Sequence, residues 1–426
     1  MKAVKTSIPM LLLVFYILWG WFFKNTIYSS PFVVYSFIIG FYCVFAFKLF
    51  QSSGQKIHLA PWLPFYSYII LRYILQGNIE FACYWFVAFV VVAISSSDNL
   101  TYKVPYKLLL FSSLFCVLGE FLQLLMPSWF NSHVSNIYLN DNVEMWAMSE
   151  YGLGGFTYQL ATTAELLIIG ECVLLAKIIV GKGKNWLWII CLLLIIVSVF
   201  MTGKRMNSAI SLFIVLVAYI INKKGGLSFK RITQILFILS ICVVGVVVFL
   251  NNADSFIDDP FVRRLATSAI EAKSGGDFSD GRDELWSKAW ALYNNNKVFG
   301  IGPSQYPKIS HMEMDVHNVY IQTLCELGII GFVFLIFGIA YCLIKTMKLL
   351  IRSNKTPLFN HVVLSLLIQI VYIIEGYSEN VNTNLQSYMI YSLAIGIMFD
   401  CENKLKLYEY KTTPLRQSLD TRVPSE

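Results

Sequence analysis

Long blocks of apolar residues dominate the chain, and short polar connections separate them. A helix needs about 20 apolar residues to cross a bilayer, and the blocks approach this length. The pattern therefore predicts an all-α, polytopic membrane protein with about twelve transmembrane helices. Arg72 interrupts one of the blocks, which makes the third and fourth spans the least regular. The predicted spans are 8–23, 32–47, 60–76, 79–95, 108–126, 156–176, 185–201, 206–221, 232–250, 319–344, 359–375 and 387–400.

Composition supports the same class of protein. Of the 426 residues, 57% are hydrophobic and 14% are charged, whereas soluble domains have about 25% charged residues. The net charge of +7 does not indicate a nucleic-acid partner, because the lysines cluster in short loops where membrane topology explains them. The nine cysteines contain no CxxC pair, which argues against a disulfide framework or a zinc site.

The distribution of Lys and Arg predicts the orientation, since cytoplasmic loops carry an excess of both. If both termini are cytoplasmic, the basic segments lie inside, whereas the extracytoplasmic loop 127–155 contains no Lys or Arg. The long segment 251–317, between spans nine and ten, is then extracytoplasmic as well. We expect one transmembrane domain over residues 1–400, with this loop inserted in it, and a cytoplasmic tail over residues 401–426.

The extracytoplasmic loop has a helical pattern of its own. Residues 258–273 are predicted to form one helix, with Asp259 as its N-cap and Pro260 in its first turn. Residues 282–296 are predicted to form a second helix. Aromatic residues recur at helical spacing on the second helix, which is typical of packing or of a membrane interface. These residues are Trp286, Trp290 and Tyr293.

Two glycine-rich stretches indicate places where the backbone can approach a ligand. Gly300 and Gly302 mark a tight loop after the second helix. Gly152, Gly154 and Gly155 precede a predicted helix whose free N–H groups are suited to an anion. The second signal is weak, because glycines often precede helices.

Lys204 and Arg205 lie in the short turn 202–205, on the side where cations are otherwise scarce. An anionic ligand on that side would explain them. Charged residues within or near the apolar blocks are further candidates, since charges are costly there and often functional. These are Arg72, Glu120, Glu165, Glu171 and Glu375.

Each candidate also has a purely structural interpretation. Arg205 can hold a neighbouring helix end, and Arg282 can pair with Asp280 or Glu284. A single histidine such as His317 is more often a polar cap than a catalyst. The sequence pattern alone leaves these alternatives open.

Three motifs stand in order along the chain: TGKRMNSAISLF (202–213), GRDELWSKAWALYNNNKVFGIGPSQYP (281–307) and HNVYIQTLCELGIIGFVFL (317–335). Their order resembles the O-antigen polymerase and O-antigen ligase superfamily of bacterial envelope glycosyltransferases. The family often has Ser before the first arginine, where this chain has Lys204. The matching residues are Arg205, Arg282, Trp286, Gly300, Gly302, His317, Asn318, Glu326, Gly328 and Gly331.

The resemblance implies roles for these residues on a polyprenyl-diphosphate-linked glycan. Arg205 and Arg282 would clamp the diphosphate, because the arginine fork suits phosphate oxygens. His317 would activate or orient the acceptor hydroxyl. No metal motif appears, so the arginines would take the role of a divalent ion, and we expect no cofactor. The remaining substrate-binding candidates are Lys204, Asn318, Gly300, Gly302 and Trp286.

The leading functional hypothesis is a polymerase of lipid-linked repeat units in the bacterial inner membrane. It would transfer a growing glycan from undecaprenyl diphosphate to the next repeat unit, at a site facing the periplasm or exterior. A chain-length regulator and a flippase are expected partners. The alternatives are a ligase that transfers the chain to the lipid A core and, from another class, a twelve-span transporter or flippase. The chain shows no half-to-half repeat of the kind that transporters often have.

Overall fold

The computed structural model describes part of the chain, and every regular element that it defines there is a helix. Backbone N–H and C=O groups in a bilayer must be satisfied within the segment, which helices achieve. The described residues are 61–79, 103–134, 152–157, 159–180, 186–222, 251–258, 263–274, 281–312, 314–354, 356–379 and 385–420, with isolated positions at 22, 81–89, 137 and 244–249.

The helices are numbered here in chain order. The first six are α1 (Leu63–Leu75), α2 (Lys103–Leu125), α3 (Pro127–Val134), α4 (Leu160–Val180), α5 (Trp186–Met201) and α6 (Arg205–Asn222). The next three are α7 (Arg263–Lys273), α8 (Arg282–Asn295) and the short α9 (Tyr306–Ser310). The last three are α10 (Val319–Ser353), α11 (Phe359–Glu375) and α12 (Leu385–Asp420).

Two helices in the described part of the chain are long and apolar enough to cross a membrane. They are Tyr106–Leu125 and Val319–Ser353, with mean hydropathies of 2.0 and 2.7. Shorter apolar helices accompany them at Leu63–Leu75, Trp186–Met201, Arg205–Ile221 and Phe359–Glu375. The all-α prediction is thus confirmed for the described residues. Of the twelve predicted spans, 8–23 and 32–47 lie outside those residues, as do most of 79–95 and 232–250.

Small residues allow the central helices to pack closely. Gly170 of α4 faces Ser113 of α2, and a Cβ added to the glycine would lie 2.2 Å from the serine Oγ. The single proton of that hydroxyl is shared between the carbonyl oxygens of Leu109 and Leu166. Between α11 and α12, the Ser365 hydroxyl donates to the Ala394 carbonyl over 2.6 Å. Such contacts suit helices that associate in lipid, where packing and polar contacts replace the hydrophobic drive.

A kink divides α10, and the G-x-G loop docks into it. Gly328 has φ 66° and ψ −169°, which interrupts the helix. The backbone N–H groups of Ile301 and Gly302 donate to the carbonyls of Cys325 and Glu326, each over 2.9 Å. A Cβ on Gly300 would lie 2.4 Å from the Glu326 carbonyl carbon. The glycines are therefore needed where this loop meets the helix backbone.

The segment around α8 carries a small apolar core that is continuous with α10. Its buried members are Leu285, Ala289, Tyr306, Val316 and Cys325. The Tyr306 hydroxyl donates to the Leu285 carbonyl over 2.8 Å. α8 starts at the predicted residue, and the described part of the other helix is α7, Arg263–Lys273. The predicted N-cap Asp259 and Pro260 lie outside the described residues.

Two helices continue well beyond the predicted span ends at 344 and 400. Ion pairs join these extensions: Lys345 Nζ lies 2.8 Å from Glu402 Oε2, and Arg352 Nη2 lies 2.7 Å from Glu409 Oε2. On each helix the second pair lies seven residues after the first, which is about two turns. Hydropathy marks where an apolar block ends, and these charged turns extend the helices past that point. α12 continues past residue 400, where the transmembrane domain was predicted to end. The division of the chain into a transmembrane domain, an inserted loop and a cytoplasmic tail stays a prediction.

We expect Gly300→Ala to destabilise the protein more than Gly281→Ala. Both glycines have left-handed φ angles, 69° and 77°, so both variants incur a similar conformational cost of about 1–2 kcal/mol. Only Gly300 also has close neighbours, since nothing lies within 4 Å of a Cβ on Gly281. Thermal unfolding of the two purified variants should differ by about 1–3 kcal/mol, the usual cost of overpacking. Equal stabilities would contradict the docking described above.

Candidate functional site

One carboxylate brings together three of the residues that the sequence singled out. Glu379 Oε1 lies 3.3 Å from Lys204 Nζ and 3.9 Å from Arg282 Nη2. Its other oxygen, Oε2, lies 3.6 Å from His317 Nδ1. The three partners come from separate segments of the chain. We call these four residues the Glu379 cluster, and the end of the bundle that carries it the His317 end.

The environment strongly favours the charged form of Glu379. Burial alone would raise the pKa of this carboxyl group. The positive charges of Lys204, His317 and Arg282, together with the polar contact from His317, outweigh burial and lower the pKa to about 2. The four side chains are between 24% and 33% exposed, so the cluster is partly shielded from water and still reachable. A cluster with this charge pattern is suited to exchanging its carboxylate for another anion.

His317 is held in an uncommon backbone conformation. Its φ is 51°, a left-handed value that costs a non-glycine residue about 1–2 kcal/mol. Its Nδ1 atom is buried and lies just beyond hydrogen-bond distance of Glu379. About a third of the side chain is exposed nevertheless. Nδ1 therefore faces Glu379, while part of the side chain is open to solvent.

Asn318 is the N-cap residue of α10. Its side-chain oxygen accepts hydrogen bonds from the N–H groups of Tyr320 and Ile321, each over 3.0 Å, at the start of α10. The N–H of Val319, the residue directly after Asn318, donates to the Gly376 carbonyl over 2.8 Å. These bonds fix the position of His317 relative to the segment that carries Glu379. A direct contact between Asn318 and substrate stays a prediction.

Arg282 is the first residue of α8, which projects it towards Glu379. One turn later, the Trp286 Nε1–H donates to the Val316 carbonyl over 3.1 Å. The Trp286 ring also lies 5.5 Å from that of Tyr377, edge to face. Trp286 thus joins α8 to both chain segments beside the cluster. Trp290, by contrast, is half exposed and contacts Tyr293.

Lys204 and Arg205 lie in and beside a tight turn between α5 and α6. Gly203 has φ 67°, and the Lys204 carbonyl accepts from Ser208 N–H in the first turn of α6. Lys204 contacts Glu379, and Arg205 follows it as the first residue of α6. The residue that departs from the family pattern is therefore part of the cluster.

Only the stretch around Gly300 lies apart from the cluster, because Gly152 packs against Thr202 and Gly203, next to Lys204. Gly300 and Gly302 meet α10 near residue 328, about 14 Å along the helix from Val319. The amides of the other stretch have protein acceptors: Gly155 N–H donates to Gln123 Oε1, and Leu153 N–H donates to the Met201 carbonyl. The structure thus gives both stretches packing contacts, and ligand contacts of Gly300 and Gly302 stay predictions.

Sequence reasoning missed Glu379 and Asn207. The Asn207 amide donates to Glu375 Oε1 over 3.2 Å, so it ties α6 to α11 directly below the cluster. A signal for Glu379 did exist. It stands four residues after Glu375 in a segment, 376–386, that has no Lys or Arg. The cations that the sequence analysis found on this side, such as Lys204, require a counterion, and an acidic residue in this segment is suited to that role.

The match to a family model bears on this arrangement. Residues 190–336 match a model described as O-Antigen ligase, Wzy_C. The resemblance to the O-antigen polymerase and ligase superfamily is thereby confirmed. The matched segment runs from α5 into α10 and contains every residue that the motifs singled out, whereas Glu379 lies beyond it. No curated protein matches the chain.

The family match indicates the class of function to which this protein's activity belongs. It supports a ligase- or polymerase-type glycosyltransferase that acts on lipid-linked glycans. Together with the apolar helices, it indicates a membrane protein. The cluster at the His317 end is the described site whose charges suit such a substrate.

We expect the contribution of Glu379 to stability to depend on pH. Because its pKa is lowered from the ordinary value of 4.5 to about 2, its ionisation stabilises the fold above about pH 4.5. That stabilisation is lost as the pH falls towards 2. The difference in unfolding temperature between wild type and Glu379→Gln should therefore be constant above pH 5 and shrink below it.

The matched control for this measurement is Glu271→Gln, at an exposed glutamate of α7 outside the cluster. Its difference from wild type should change much less over the same pH range. A Glu379→Gln difference that is already absent at pH 6 would show that the cations do not stabilise this carboxylate.

Proposed function

We propose that the protein polymerises lipid-linked oligosaccharide repeat units, such as those of O-antigen. It transfers the growing glycan from undecaprenyl diphosphate to the next lipid-linked repeat unit. The observation that carries this proposal is the meeting of Lys204, Arg282 and His317 around one carboxylate. Cations for a diphosphate and a base for an acceptor hydroxyl then lie within one side-chain length of each other.

In this proposal the donor diphosphate replaces Glu379 beside the cations. A diphosphate carries more negative charge than one carboxylate and offers more acceptor oxygens, so the exchange is favourable. Arg282 contacts phosphate oxygens through its fork, and Lys204 adds a point charge. Arg205, the next residue along, supplies a further cation. These groups stabilise the negative charge that grows on the diphosphate as it leaves, without a metal ion.

His317 acts as the base in the same step. The acceptor hydroxyl loses its proton to Nε2 while its oxygen forms the new bond to the anomeric carbon of the donor sugar. The bond from that carbon to the diphosphate oxygen breaks, and undecaprenyl diphosphate departs with the electron pair. Glu379 faces Nδ1 and stabilises the imidazolium that forms, much as a carboxylate orients histidine in hydrolases. General bases of this kind contribute about 10²–10⁴-fold to rate.

The proposal includes the location of the site. The Lys/Arg distribution favours cytoplasmic termini and a His317 end that faces the periplasm from the inner membrane. Lipid-linked units would reach that side through a flippase, and a chain-length regulator would act on the growing polymer. The transporter hypothesis gains no support from the family match.

The second candidate is an O-antigen ligase, which the description of the family model favours. A ligase would use the same cations and histidine, with the lipid A core as acceptor. The two reactions differ in the acceptor and not in the chemistry at the diphosphate. An experiment on the products must therefore separate them.

We expect Arg282→Ala to lower polymer formation by about 10²-fold while the protein stays in the membrane. The variant loses charge-assisted contacts to phosphate worth about 3 kcal/mol, or about two powers of ten in rate. Arg282→Lys should recover only part of the activity, because lysine lacks the fork. Transfer by purified protein from a lipid-linked repeat unit measures both variants.

Lys288→Ala is the matched control for Arg282. It removes a cation from the same helix that pairs with Glu284 at 2.8 Å, outside the cluster. It should retain activity close to wild type. Normal polymer from Arg282→Ala would remove that arginine from the site.

His317→Ala distinguishes polymerase from ligase in a cell that makes O-antigen. In a polymerase, the variant should leave one repeat unit on the lipid A core, because a separate ligase still works. In a ligase, it should leave a core without any repeat, and polymer should accumulate on the lipid carrier. Electrophoresis of the lipopolysaccharide shows the difference as the band of core plus one unit. Normal polymer on a normal core would mean that His317 has only a structural role.

A further inference from the structure

The C-terminal part of α10 lies at the opposite end of the bundle from the Glu379 cluster. A rise of 1.5 Å per residue puts Lys345 about 40 Å and Arg352 about 50 Å from Val319. The hydrocarbon core of a bilayer is only about 30 Å thick. In a membrane protein, this part of α10 therefore reaches the headgroup region on the face away from His317.

A cavity of about 530 Å³ opens along this part of α10, where α12 passes. Its lining divides into two parts, which we call the apolar half and the cationic half. The apolar half consists of Phe337, Ala340, Tyr341 and Ile344. The cationic half contains Lys345, Lys348 and Arg352, together with Leu349 and Glu402. We call this space the Lys348 cavity.

The charges in the cavity are not balanced. Glu402 pairs with Lys345, and Glu409 pairs with Arg352. Lys348 has no carboxylate partner among the residues that the structure describes. The lining residues thus include three cations and one carboxylate, which leaves positive charge at the cationic half.

We propose that the Lys348 cavity binds an anionic phospholipid. Lys348 and Arg352 hold the headgroup phosphate, and an acyl chain lies along Phe337, Tyr341 and Ile344. Basic pockets between membrane helices are known to suit anionic headgroups. The order of the lining residues along α10, apolar and then cationic, matches the order of chain and headgroup across a leaflet.

The apolar half distinguishes a lipid from a free anion. Phe337 and Ile344 are each 51% exposed, and Tyr341 is 40% exposed. Inorganic phosphate would leave this surface uncovered. A neutral lipid would cover it and leave the excess of positive charge unmatched. Only an anionic lipid satisfies both halves.

Thermal unfolding of the purified full-length protein in a neutral detergent tests the proposal. The additives are phosphatidylglycerol, phosphatidylcholine with the same acyl chains, and inorganic phosphate. Phosphatidylglycerol should raise the unfolding temperature at the lowest concentration. Lys348→Gln should weaken its apparent affinity about fivefold, the contribution of one cation near a membrane surface.

Lys107→Gln is the control, since Lys107 is an exposed cation near the start of α2, outside the cavity. It should bind phosphatidylglycerol as wild type does. Ala340→Trp fills the apolar half and should weaken binding while Lys348 is intact. If that variant does not fold, Lys348→Gln alone decides, because it breaks no ion pair within the described structure.

Three results would overturn the proposal. Equal stabilisation by phosphatidylcholine would mean that the headgroup charge is not recognised. Equal stabilisation by inorganic phosphate would mean that the apolar half contributes nothing. An equal loss of affinity in Lys107→Gln and Lys348→Gln would mean that the lipid responds to overall charge and not to this cavity.

Discussion

The contact of Glu379 with three basic side chains is the interaction on which the His317 end depends. Lys204, Arg282 and His317 are distant in sequence, and cations held together at the edge of a membrane repel one another unless an anion separates them. Glu379 supplies that anion. The fold must therefore bring the turn before α6, the start of α8 and the start of α10 within reach of one short segment after α11.

The packing around the cluster meets this requirement. The backbone bond from Val319 to Gly376 joins α10 to the segment of Glu379. At the other end of the intervening loop, Ile301 and Gly302 are bonded to the kink in α10. The chain from α8 to His317 is consequently fixed at both ends, and Trp286 of α8 also holds the end next to His317 through Val316. These backbone bonds set the positions from which the charged side chains reach Glu379.

How much of this structure the sequence predicts depends on how far apart in the chain the interacting residues are. Helices follow from local apolar blocks, so most described helices lie where such blocks predicted them. Their extensions past 344 and 400 depend on pairs such as Arg352–Glu409, which no local pattern reveals. Order along the chain identified Lys204, Arg282 and His317, yet their meeting at Glu379 spans up to 175 residues. The positive φ of Gly300 allows the chain to approach either a ligand or the backbone of a helix closely. The sequence does not show which of the two it approaches.

The two proposed sites offer cations to a lipid phosphate at opposite ends of α10, but they hold those cations differently. At the His317 end, Glu379 contacts every cation of the cluster, so a phosphate must displace the carboxylate. At the other end, Glu402 pairs with Lys345 and Glu409 pairs with Arg352, whereas Lys348 has no carboxylate partner in the described part of the chain. The two ends also differ in what lies beside the carboxylate. Glu379 also faces His317, so its displacement from Lys204 and Arg282 frees it to stabilise the protonated base. Glu402 has no histidine beside it within the described part of the chain, which restricts the Lys348 cavity to binding.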